Sequence, residues 1–153
     1  MKTLKLTTLA AAATLALAAA PAQADTADGG HTTGAGTVTD VGNPFAPVRI
    51  GVNAGSVNGV PQGRVVVRNA DFRFVGDVQC YAQVGDTVEI AGQVVRSKTL
   101  AGGYYALSIQ DNGEAGDLVS LTASADVPLL CGQAGTPVFA LEDGNMVVHA
   151  GLE

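Results

Sequence analysis

The chain has 153 residues, with 8 basic against 14 acidic side chains, a formal charge of −6, 20 glycines and no tryptophan. An acidic chain without a Lys/Arg cluster has no electrostatic means of holding a phosphate backbone, which excludes nucleic acid and anionic membrane surfaces as expected partners. The length supports one domain that buries a core of its own without many disulfides or metals.

Residues 1–24 read as a secretory signal peptide. Lys2 and Lys5 precede an apolar run from Leu9 to Ala20, and Pro21 with Ala22-Gln23-Ala24 places a cut before Asp25. The run falls short of the roughly 20 apolar residues of a transmembrane helix, an uncleaved anchor being the alternative. Removing the segment takes away two basic residues and no acid, leaving 129 residues with a charge of −8. There is no cysteine at the cut for lipid attachment and no twin arginine, so the expected route is general secretion. The expected location is extracellular or periplasmic, with no transmembrane segment after cleavage. In an oxidising compartment Cys80 and Cys131 are expected to pair. Closing a loop of that size is worth about 4 kcal/mol in the chain-entropy model. Two separately buried thiols are the alternative, since spacing does not show that the Cα atoms approach.

Residues 25–36, DTADGGHTTGAG, contain no large apolar side chain and are expected to form a flexible leader. From residue 37 to 153 the apolar pattern has period two, the mark of half-buried strands. Val48, Ile50 and Val52 alternate with Arg49, Gly51 and Asn53, and Val65 and Val67 with Arg64, Val66 and Arg68. Phe72, Phe74, Val78 and Cys80 are expected on one face, opposite Arg73, Asp77 and Gln79. Val88, Ile90 and Val94 form another apolar face, as do Tyr105, Leu107 and Ile109, and of the pair Tyr104-Tyr105 one ring is expected at the surface. Further strands are expected near 118–123, 137–141 and 146–150. Turns are expected at 54–59, 61–63, 85–86, 101–103, 111–117 and 142–145, where Gly, Pro, Asn and Asp gather. The predicted fold is all-β, an antiparallel barrel or barrel-like sandwich of about eight or nine strands. Gly51, Gly76 and Gly92, lying inside strands, favour the strong coiling of a barrel. A Greek-key sandwich with glycines at bulges is the alternative.

Chemistry-bearing residues are few. His31 falls in the expected leader and His149 in the last strand, with no GxSxG, HExxH, P-loop or dinucleotide motif, so no catalytic residue is assigned. The densest polar feature is DNGEAGD. Asp111, Glu114 and Asp117 are candidate Ca²⁺ ligands, because hard oxygen donors on a glycine-bearing loop suit that ion, although the spacing departs from an EF-hand. An ordinary Asn112-Gly113 turn is the competing reading. A closed barrel also admits a small apolar ligand in its lumen, although side chains usually fill a small barrel. An edge strand with few lysines admits an extracellular protein partner.

The strings VGDVQCY (75–81), EIAGQVV (89–95), DNGE (111–114) and GNMVVH (144–149) resemble small secreted bacterial β-proteins of uncharacterised function. That resemblance implies the fold and the exported location, treats these residues as framework, and brings no activity or cofactor with it. The expected function is therefore a secreted, non-catalytic binding or structural component of the cell exterior. A small-molecule or Ca²⁺-binding barrel is the second reading, and a hydrolase using paired carboxylates the third.

Overall fold

The computed structural model describes residues 29–40, 42, 46–98 and 102–151; the expected signal peptide and the first residues of the expected leader lie outside them. Nine strands run in chain order: β1 (His31–Val38), β2 (Val48–Val57), β3 (Val60–Arg68), β4 (Arg73–Val84), β5 (Thr87–Ser97), β6 (Tyr104–Gln110), β7 (Leu118–Ser124), β8 (Phe139–Ala140) and β9 (Glu142–His149). All pairings are antiparallel within one sheet of order β8-β7-β6-β5-β4-β3-β2-β1-β9, which curls into a nearly closed barrel. Each strand from β1 to β8 pairs with the strand before or after it in the chain, β7 and β8 across the long connection 125–138. The stretch Phe139–His149 does something different. Its first two residues pair with Val119 and Leu118 of β7 and its last eight pair with β1, so a single segment straddles the seam.

The period-two faces are realised. Val48, Ile50, Val52, Val65, Val67, Phe74, Val88, Ile90, Tyr105, Leu107 and Ile109 are buried together in the interior, with the partners Arg49, Asn53, Arg64 and Arg68 exposed outside. Tyr105 is fully buried while Tyr104 is half-buried on the other face. The Tyr105 ring occupies the space that a side chain on Gly76 would need, and its hydroxyl donates to the Asp77 carbonyl at 3.2 Å. Glycine at 76 is thus the socket for the largest ring in that part of the core, and packing of this kind leaves no room for a methyl group.

Four expectations need correction. Residues 31–36 are not a leader; His31–Val38 pairs with both β2 and β9, and Thr32 is buried. The segment lacks large apolar groups because its inward residue Thr32 meets polar company: its hydroxyl lies 2.9 Å from that of Tyr81, which donates to Gln83 Oε1 at 3.2 Å. Cys80 does not share the Phe74–Val78 face. A bulge at Gln79 shifts the register between Val78 and Cys80, so Tyr81 turns inward and Cys80 outward. Residues 54–57 and 61–63 are strand, because the two-residue Asn58-Gly59 turn, both with positive φ, lets β2 and β3 pair up to Val57↔Val60. Residues 142–145 begin β9, with the irregularity absorbed by a register shift opposite Ala35–Thr37 and by Asp143 at φ 48°.

Cys80 bonds to Cys131 with the Cα atoms 5.8 Å apart. The bond pins the strap formed by residues 125–138 against the outer wall, where Ser120 Oγ donates to the Thr136 carbonyl at 2.7 Å. Ala106, Ser108 and Ser120, which face outward from β6 and β7, are consequently buried. Replacing both cysteines by serine is expected to lower the unfolding free energy by about 2–4 kcal/mol in denaturant titrations.

Burial pushes the Tyr105 phenol well above its ordinary range, with the Asp77 charge adding to it, and burial raises Tyr81 despite the Thr32 hydrogen bond, which lowers it. In the unfolded chain both phenols lose their protons near the ordinary value of 10.0, whereas the folded chain keeps them. Their contribution is therefore complete below that pH and declines above it, for Tyr105 by up to about 1.4 kcal/mol per pH unit. Unfolding titrations between pH 8 and 11 should show this decline, and Tyr105→Phe should remove one tyrosine's share of the slope.

Candidate functional site

Two regions collect the polar side chains, the seam of the barrel and the outer wall of β1–β3. The seam follows from the sheet order. β9 pairs with β1 on one edge, and the N–H groups on its other edge need acceptors, since a buried unpaired amide costs about 1–3 kcal/mol. The connection between β6 and β7 supplies them. Asp117, 3 % exposed, accepts from Met146 N–H through Oδ2 at 2.6 Å and from Asn112 N–H through Oδ1 at 3.2 Å. Asp111 accepts from Val148 N–H through Oδ2 at 3.0 Å and from Gly113 N–H through Oδ1 at 3.0 Å. The Asp117 carbonyl adds a bond from Leu141 N–H at 2.9 Å. Both aspartates thus act as replacement strand acceptors where a ladder is missing.

The arrangement bears directly on the expected Ca²⁺ ligands. All four oxygens of Asp111 and Asp117 are engaged by backbone N–H donors, while Glu114 is exposed on the 3₁₀ turn Gly113–Ala115. Among the described residues no group of three His, Cys, Asp or Glu side chains is placed to hold a metal ion. The loop is acidic because the seam needs anionic acceptors, a requirement invisible in the spacing of the three acids. Asp117 is also the one buried carboxylate among the described residues, and backbone N–H donors take both its oxygens. The lumen is filled. Twenty buried apolar side chains form one cluster, and the Thr32–Tyr81–Gln83 chain of hydroxyls and amide closes one end beneath Gly30.

Two of the cavities on the outside of the wall are lined mainly by uncharged polar groups and backbone. One, of about 370 Å³, sits between the strap and the outer face of β5 and β6; Thr87, Glu89, Ser108 and Thr136 line it, and the Ser108 hydroxyl there has no hydrogen-bond partner. The larger is a groove of about 590 Å³ along the outside of β1, β2 and the β2–β3 hairpin. Its floor is largely backbone, because Gly30, Gly55 and Gly63 carry no side chains, and its walls are Asn53, Asn58, Gln62 and His31. A Cβ on Gly55 would lie 2.6 Å from the Gly30 carbonyl oxygen and 3.1 Å from His31 Nδ1, so glycine here both admits the close strand approach and seats the imidazole. None of the groove residues carries a carboxylate, ammonium or guanidinium. The sequence reading missed this surface because it assigned His31 to a leader and residues 54–63 to turns. The useful signal was Asn58-Gly59, which implies a tight hairpin and therefore strands on both sides.

The fold and the site define a class: a nine-stranded antiparallel barrel with a filled interior, a disulfide-pinned strap and a polar groove on its outer wall. Comparison with protein-family models, curated protein sequences and solved structures yields no match.

Asp117→Ala is expected to cost about 2–4 kcal/mol in chemical unfolding, because it leaves two backbone N–H groups without their anionic acceptor. Asp117→Asn, which keeps one acceptor oxygen, should fall between it and the parent, and Glu114→Ala should change stability by no more than about 0.5 kcal/mol. Millimolar Ca²⁺ added to chelated protein is expected to leave the melting temperature unchanged; a rise would restore the loop as a calcium site.

Proposed function

We propose that the chain is an exported, non-catalytic barrel of the cell exterior that works by binding an uncharged peptide segment of an extracellular partner in the outer groove of β1–β3. The observation that carries this reading is the groove itself. Its volume of about 590 Å³ falls in the range of recognition sites. The amides of Asn53, Asn58 and Gln62 match peptide N–H and C=O groups, and no charged side chain lines it to demand a charged ligand. Val57 and Val60, 50 % and 63 % exposed at the hairpin tip beside the groove, offer apolar contact for a side chain of the partner. Export is supported by the signal-like residues 1–24 and by a disulfide of the kind oxidising compartments favour. Among the described residues no helix is long and apolar enough to cross a membrane. Because the interior is filled, a small apolar ligand in the lumen is the weaker alternative.

Titration of isotope-labelled protein with pooled short uncharged peptides, and with neutral oligosaccharides as the contrasting pool, tests the reading by amide shift mapping. Peptide-induced shifts confined to residues 29–31 and 53–63, weakened several-fold in Asn53→Ala and Gln62→Ala, are the expected result. Shifts only with oligosaccharides, shifts elsewhere, or none from any pool would overturn it.

A further inference from the structure

The chain contains two histidines, and the fold brings them together from opposite ends of the domain. His31 opens β1 and His149 closes β9, and the two are direct partners in the antiparallel register. Both are exposed on the outer wall, since their neighbours Thr32 and Val148, paired across the strands, turn toward the interior. The imidazole rings are nearly parallel, 12° apart, with centroids separated by 6.4 Å. Directly opposed residues on one face have Cβ atoms about 4.5–5.5 Å apart, so the side chains share their reach.

We propose that His31 and His149 form a two-imidazole site for a late first-row divalent transition ion, Cu²⁺ foremost. A ring nitrogen lies about 1.1 Å from its centroid and a metal–nitrogen bond is about 2.0 Å, so two imidazoles on one ion have centroids no more than about 6.2 Å apart, and closer when the nitrogens are not on opposite sides of the ion. The observed 6.4 Å, with the rings stacked, lies just beyond that maximum, so both exposed side chains must rotate toward each other to bring one nitrogen of each ring onto a shared ion. A side chain at Gly55 would crowd His31 Nδ1, so glycine there leaves the imidazole room to turn toward His149. No third His, Cys, Asp or Glu joins the pair among the described residues, so the ion would keep coordination positions for water, unlike a closed structural zinc site. Imidazole donors suit Cu²⁺, Ni²⁺ and Zn²⁺, and the order of affinity at such a site peaks at Cu²⁺. The net acidic charge of the chain favours approach of a cation. The inference goes beyond the peptide-binding reading. It shares His31 with the groove, but His149 does not line it, so the two are separable.

The full chain, free of any histidine tag, is titrated with Cu²⁺ and with Zn²⁺ by calorimetry, and the Cu²⁺ complex is examined by electron paramagnetic resonance. The expected result is an ion whose spectrum shows coupling to two imidazole nitrogens, tighter binding of Cu²⁺ than of Zn²⁺, and a higher melting temperature with metal. His149→Ala, and separately His149→Gln, should reduce the coupling to one imidazole and weaken Cu²⁺ binding by about tenfold or more, as loss of an intramolecular second ligand implies. Both variants should retain the parent's circular dichroism, and peptide-induced shifts in the groove should be unaffected. A parent spectrum without two imidazole nitrogens, or variants that bind Cu²⁺ as tightly as the parent, would overturn the proposal whatever the outcome of the peptide titration.

Discussion

Strand β9 has a ladder on one side only, and on its other side the amide groups of Met146 and Val148 meet the carboxylates of Asp117 and Asp111. Everything inside the barrel depends on that contact. An antiparallel sheet of this curvature has two terminal strands whose unpaired edges cost free energy when buried and invite foreign strands when exposed. Full closure would pair them strand to strand. Here the chain instead passes from a short pairing with β7 directly into a long pairing with β1, and two aspartates from the facing connection supply the acceptors between. Bonds from amides to carboxylates are stronger than neutral ones, so few of them suffice to hold the seam.

Closure at the seam determines where function can lie. With Met146 and Leu141 drawn inward, the lumen is packed with side chains, and one end is capped by the Thr32–Tyr81–Gln83 hydrogen bonds. The strap covers the outer faces of β6 and β7, held by the disulfide and by Ser120. Of the concave surfaces that remain outside, the groove on the wall of β1–β3 is larger than the cavity between the strap and β5 and β6. The proposed binding role falls on the outside of a rigid scaffold, the region a filled barrel can vary without disturbing its core.

The sequence disclosed the parts of the fold that period two controls. Val48, Ile50 and Val52 or Tyr105, Leu107 and Ile109 each declare an inner face, and the glycines at 76 and 92 mark bending of β4 against β5, where Gly76 pairs with Val94 and Val78 with Gly92. Three things were hidden for distinct physical reasons. β1 has no apolar stripe, because its inward Thr32 is satisfied by Tyr81 and most of its stability comes from two ladders to other strands. The face of Cys80 was reversed by one bulged residue, Gln79, and a slip of one residue turns every later side chain to the other side of the sheet. Asp117 read as a candidate Ca²⁺ ligand on a turn because neither its burial nor its bond to Met146, 29 positions away, leaves a local trace. The histidine pair was hidden most completely, since the partnership exists only once the last strand lies beside the first.

The glycines that make the groove are also the ones the fold can least surrender. A Cβ on Gly63 would run into the Asn53 carbonyl, and one on Gly55 would press on the Gly30 carbonyl across the strand pair. At these positions the absence of a side chain first lets neighbouring backbones approach, and the bare concavity outside follows from the same requirement. Substituting them would test stability and recognition together and separate neither. Asn53 and Gln62 are different, because their side chains stand on the wall and carry amides that the ladders do not use. Discrimination between scaffold and the proposed site therefore rests on the amides, and the groove is a by-product of tight strand approach that a few polar side chains line.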